Sequence, residues 1–132
     1  MAVILDGKEV ARKIRQNLKE EVSKLKEEGI SPKLAVIMVG DDSASKIYVK
    51  NKSIACNEIG IEYEEYLLNE ETTMDELLNL IDKLNNDKTI NGILLQSPRP
   101  KNLDINEAFK AIDPIKDVDG FNPMNVGKLC LG

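Results

Sequence analysis

A chain of 132 residues, 42% hydrophobic and 31% charged, is long enough for one domain that buries roughly two-thirds of its unfolded surface. A formal net charge of -5 argues against a general nucleic-acid binder, which would carry a basic patch. Histidine is absent and the two cysteines, Cys56 and Cys130, lie far apart, so no zinc-ligand pattern exists; with no signal peptide and no long apolar run, a cytoplasmic protein off the membrane is the default.

After Val3-Ile4-Leu5, the residues Val10, Ala11, Ile14, Leu18, Val22 and Leu25 recur at helical spacing up to Gly29, with Lys and Glu interspersed as a solvated face. Leu34 to Val39 is a continuous apolar run rich in β-branched residues, which suits a strand covered on both faces. Gly40 ends it. Asp41 to Ala44 leads into a helix that stops at Gly60, a C-cap glycine. Ile61 to Leu68 reads as a second strand whose Glu62, Glu64 and Glu65 suit a sheet edge. Thr73 and Glu76 form a capping box for a third helix carrying Leu77, Leu78, Ile81 and Leu84.

Ile90 to Leu95 is a further apolar strand, ending at Gln96-Ser97-Pro98-Arg99-Pro100. Asp104 caps a short helix with Ala108, Phe109 and Ile112, which Pro114 stops. Lys116 to Phe121 is loop-like, and Val126 to Leu129 forms a last turn or short strand. Alternating strands and helices predict an α/β fold: three layers, α/β/α, around a mostly parallel sheet of about four strands. Ligands then bind beyond the carboxyl ends of the strands, where Tyr48, Lys52 and Gln96 converge.

Wound at about 100° per residue, Ser45, Tyr48, Lys52, Ala55, Cys56 and Ile59 share one helix face, with Val49 at its edge. Lys52 thus lies inside the apolar stripe. A buried ammonium must be paired or lose its proton, and desolvation draws a lysine pKa downward, which makes Lys52 an acid/base candidate. Equally, its stem can snorkel and carry the charge to water. In a chain without histidine, proton transfer near neutral pH falls to Lys, Tyr, Cys or a carboxylate. Read singly, Tyr48 fits an amphipathic core residue, Gln96 a strand-end cap, Asp119 an Asx-turn before Gly120, and Pro98 a loop marker; Asp117 reads as structural or solvated.

Four motifs follow in order: Val39-Gly40, Ser45-x-x-Tyr48-Val49-x-x-Lys52, Gly92-Ile93-Leu94-Leu95-Gln96-x-Pro98, and Lys116-Asp117-Val118-Asp119-Gly120-Phe121. Together they resemble the amino-terminal catalytic domain of the bifunctional methylenetetrahydrofolate dehydrogenase/methenyltetrahydrofolate cyclohydrolases, over nearly the whole chain. The resemblance implies a folate-binding catalytic domain over residues 1–132. It further implies an enzyme that oxidises methylenetetrahydrofolate and hydrolyses methenyltetrahydrofolate to formyltetrahydrofolate, in the one-carbon metabolism that feeds purine biosynthesis.

By the same resemblance Lys52 is the acid/base that helps water add to the methenyl carbon and the adduct collapse. Tyr48 packs on the folate, Gln96 tunes the lysine by hydrogen bonding, and Asp119 binds the donor edge of the pterin. Ser45 supports them from behind, and Pro98 belongs to the folate wall. The partners implied are a tetrahydrofolate substrate and a second copy in a homodimer of the full-length protein, with neither nucleic acid nor membrane.

Two departures stand out. Ser97 and Arg99 occupy positions where the family commonly has leucine, so the folate wall is expected to be more polar. The chain also ends at Gly132, about where the family's nicotinamide-binding domain should begin, and holds no Gly-x-Gly-x-x-Gly loop. The expectation is an isolated domain, weakly active at most, with NADP bound only when the Rossmann domain is present. Two other readings compete: a non-catalytic folate-binding module, and a receiver domain using Asp41-Asp42, which would want an acceptor aspartate where Gln96-Ser97 stand.

Overall fold

The structure, a computed structural model, describes residues 1–97 and 100–132. Its centre is the strand β1, Lys33–Val39, flanked by β2, Glu62–Leu68, and β3, Gly92–Leu95, all parallel in the order β2-β1-β3. β1 takes the middle because it is apolar on both faces, and Ala35 through Val39 are all buried. β2 holds the edge, where its glutamates reach water as their spacing predicts.

The sheet has three strands among the described residues, not about four. Val3-Ile4-Leu5 stays outside any strand and exposed. Val126 to Leu129 lies instead in a helix, α5, Pro123–Leu131, because Asn122 caps its amino end and Pro123 has its backbone pre-set for a first turn. Among the described residues, one further parallel bridge joins Ile93 of β3 to Asp117.

The remaining helices begin where short polar side chains satisfy their free N–H groups. Asp6 caps α1, Gly7–Glu27, and Asp42 caps α2, Ser43–Ile59, which ends at Gly60 with φ of 89°. Thr73 and Glu76 complete both arms of the capping box on α3, Met74–Asn86, and Asp104 caps α4, Ile105–Ala111.

Two apolar layers pin these elements to the sheet. On one face Leu77, Ile81 and Leu84 of α3 and Ala108 of α4 seal Ala35, Ile37, Val39, Ile93 and Leu95. On the other, Val49 of α2 covers Val36, Met38 and Leu94, with Tyr63 packed alongside. α1 packs on α2 and buries only Val22, so Val10 and Ile14 of its stripe remain half-exposed. Among the described residues no helix is long and apolar enough to cross a membrane.

Candidate functional site

Parallel strands end together, and only three residues separate the end of β1 from the start of α2, so the first turns of α2 stand beside the end of β3. The N–H of Gln96 donates to Ile37 O at 2.8 Å, carrying the β1/β3 ladder one residue further and fixing Gln96 at the rim. There the Lys52 ammonium, Nζ, donates to Gln96 Oε1 at 2.8 Å. The carboxamide is held from its other end: Gln96 Nε2 donates to Ser97 O at 2.8 Å. That carbonyl also accepts a longer bond, 3.4 Å, from the Ser45 hydroxyl. With its amide end engaged by a carbonyl, Gln96 presents only oxygen to the lysine.

Ser45 is 1% exposed, Lys52 is half-buried, and Tyr48 is 60% exposed with its ring centroid 5.8 Å from Lys52 Nζ. The buried positions of α2 are Ser45, Val49, Cys56 and Ile59. The seam therefore runs through Val49, expected at the edge, and leaves Tyr48 outside it. Val49 wins that place because it packs on Val36, Met38 and Leu94. Lys52 is flanked by the seam without being sealed in it. Tyr48 is no core residue, and its face is open to a planar ligand.

Asp119 lies in the segment between α4 and α5, close enough to Lys52 for the two charges to interact. Its carboxyl is pushed above the usual range, chiefly by the protein around it displacing water, with Lys52 pulling it down and Asp117 pushing it up. The residue is nonetheless exposed, so solvent limits that rise. Among the described residues Asp119 accepts no hydrogen bond. Two residues earlier, Asp117 is the opposite case. Burial works against its charge, but bonds from Asn125 and from the N–H groups of Asn122, Phe121 and Gly120 outweigh it and hold the carboxyl below its usual range.

The structure therefore brings Lys52, Gln96, Ser45 and Tyr48 together and sets Asp119 within electrostatic reach. Pro98, the sixth expected site residue, and Arg99 lie outside the described residues. Sequence reasoning missed Asn122 and Asn125. Asn122 is 3% exposed, donates to Ile112 O at 2.8 Å, and caps α5 through Met124 N. The Asn-Pro step at positions 122–123 was the available signal, since asparagine before proline marks a helix start. Among the described residues no group of His, Cys, Asp and Glu could hold a metal ion.

A parallel sheet covered by helices on both faces, with a lysine–carboxamide pair and an open aromatic face at its carboxyl edge, defines an α/β domain of the class whose ligands bind beyond the strand ends. More narrowly, the chain belongs to the family described as tetrahydrofolate dehydrogenase/cyclohydrolase, catalytic domain, whose profile matches residues 5–119. It is 54% identical over its whole length to the bifunctional protein FolD of Geotalea daltonii, covering 47% of that protein. To its counterpart in Acetivibrio thermocellus it is 55% identical over 99% of the chain and 46% of the relative.

The chain thus spans about half the length of the curated relatives it matches. The crystal structure of the FolD methylenetetrahydrofolate dehydrogenase/cyclohydrolase from Campylobacter jejuni superposes with a TM-score of 0.96 at 49% identity, over 98% of this chain and 46% of that one. The Trypanosoma brucei methylenetetrahydrofolate dehydrogenase-cyclohydrolase, solved with NADP cofactor and inhibitor, gives 0.92 at 34% identity, over 97% of this chain and 44% of that one.

Proposed function

We propose that residues 1–132 form the folate-binding catalytic domain of an enzyme that oxidises methylenetetrahydrofolate and hydrolyses methenyltetrahydrofolate to formyltetrahydrofolate. The observation that carries this reading is the 2.8 Å bond from Lys52 Nζ to Gln96 Oε1, made beside an open tyrosine face. The methenyl carbon is an electrophilic iminium. Water that adds to it must lose a proton, and the ring nitrogen that leaves must gain one; the remaining hydroxyl proton of the adduct passes to solvent as the formyl C=O forms. Lys52 takes the first and returns the second.

Gln96 holds the Nζ in place and, with its amide end tied to Ser97 O, cannot compete as a donor toward it. A cationic substrate beside an amine favours that amine's neutral, proton-accepting form. Tyr48 supplies a face for the planar folate, and the carboxylate of Asp119, which accepts no hydrogen bond among the described residues, supplies acceptors for the pterin's N–H groups.

NADP, when bound, supplies the hydride acceptor for the oxidation. The sequence of this chain holds no Gly-x-Gly-x-x-Gly loop, so its residues are not assigned to that cofactor. A cytoplasmic setting and a homodimeric whole protein complete the reading, and light scattering of the protein that carries this chain checks the dimer. Membership of the family also removes support from the receiver alternative, as does the glutamine that follows β3.

The test is methenyltetrahydrofolate hydrolysis by the protein that carries this chain, with and without Lys52→Met. General acid–base catalysis contributes roughly a hundredfold or more, so the variant should lose at least about that much turnover while its melting temperature holds. Unchanged turnover removes Lys52 from the reaction, and folate binding without any turnover in the parent protein leaves a binding module.

A further inference from the structure

Among the described residues, the segment that carries Asp119 is hydrogen-bonded on both sides of that residue and not through its carboxylate. Ahead of it, the Lys116 ammonium donates to Leu84 O at 2.9 Å and to Asp87 O at 2.8 Å, tying the segment to the end of α3. The Lys116 carbonyl accepts from Ile93 N at 2.7 Å, laying the chain against β3. Gly92 makes room for it: a Cβ there would come within 2.6 Å of Val118 Cγ1. Behind Asp119 the fastening is Asp117 itself. Its Oδ1 accepts from Gly120 N at 3.1 Å, and its Oδ2 accepts from Asn122 N at 2.8 Å and Asn125 Nδ2 at 2.9 Å.

One carboxylate thus closes a loop from residue 117 to residues 120–125 and leaves Val118 and Asp119 arched between its ends. Both of these residues are more than half exposed or open to solvent, so local packing alone does not fix the arch. We infer that Asp117 is a positioning residue that sets where the Asp119 carboxylate stands, and so selects a ligand edge with N–H donors. The inference rests on the proposed role of Asp119 at the folate. An arch fixed before binding loses less conformational freedom when the ligand arrives, which is where the affinity comes from.

The chemistry of the hub makes this testable with an isosteric change. In Asp117→Asn the amide keeps the shape but turns a donor toward donors: with its oxygen on Gly120 N, its NH2 meets Asn122 N and Asn125 Nδ2. Flipping it only moves the conflict to Gly120. Asn125→Ala is a gentler second variant, losing the bonds to Asp117 Oδ2 and Pro114 O.

The experiment is a double-mutant cycle on the protein that carries this chain, reading KM and kcat for 5,10-methenyltetrahydrofolate hydrolysis with melting temperature alongside. Asp117→Asn should raise KM by about tenfold, the scale of a charged hydrogen-bond network lost, with a smaller change in kcat. Asn125→Ala should raise it less. In an Asp119→Ala background neither should raise KM further. Equal fold-losses in both backgrounds, or no rise in KM, overturn the inference while leaving Asp119 in place. If Asp119→Ala itself leaves KM unchanged, the role of Asp119 falls and the inference with it. Should Asp117→Asn not fold, Asn125→Ala carries the same cycle to the same decision.

Discussion

The two faces of the sheet are covered very differently. α3 and α4 close one face with a continuous apolar layer that includes Leu77, Ile81, Leu84, Leu103, Ala108 and Ile112. The opposite face has Val49 of α2 above Val36, Met38 and Leu94, and then the half-buried amine of Lys52 on the same helix. A fully sealed layer has no place for an ammonium. A helix packed through one narrow seam can keep its inner turns apolar and present a lysine where the strands end. The thick face holds the strands in register, and the thin face spends its packing on aiming side chains.

If that division is right, the largest stability loss comes from the thick face. Ile81 is fully buried there, so Ile81→Ala should cost about 2–5 kcal/mol in urea unfolding. The KM of the molecules that remain folded should not move. A KM rise as steep as the stability loss would mean that the two faces are not separable.

A smaller effect sharpens the thin face. Tyr63 donates to Val49 O at 3.0 Å, and burial first, then the charges of Glu65 and Cys56, push its phenol up to about 12 from an ordinary value of 10.0. The unfolded chain therefore loses this proton before the folded one does. The stabilising contribution is complete below pH 10, declines as pH rises above it, and is gone once the folded phenol ionises near 12. Urea midpoints between those pH values should fall more steeply for the parent protein than for Tyr63→Phe. Parallel slopes would place Tyr63 in a wetter setting than the thin face provides.

Much of this division could be read from the residues. The apolar run of β1, the glutamates of β2, the capping box at Thr73 and the glycine at position 60 each follow from a local rule, and each is where that rule puts it. Lys52 and Gln96 are 44 residues apart, yet parallel strands that end together made their convergence legible, while the hydrogen bond between them was implied by the family resemblance.

What stayed hidden depends on packing between elements. The depth of Tyr48 turns on how α2 sits over Val36 and Met38, which a helical wheel does not contain. Val126 to Leu129 has an apolar pattern that suits a strand or a helix, and the cap at Asn122 decides it. The hub at Asp117 has no periodicity at all, because its donors lie three, five and eight residues on in an irregular segment.

The central claim is that Lys52 exchanges a proton rather than merely supplying a positive charge. Lys52→Arg separates the two, because arginine keeps the cation and the reach toward Gln96 but does not give up its proton at any working pH. Measured on methenyltetrahydrofolate hydrolysis, the expected result is a loss of kcat as deep as that of Lys52→Met, with KM within a few-fold of the parent. Retained turnover in the arginine variant would contradict the claim, and would show that a fixed positive charge beside Gln96 suffices.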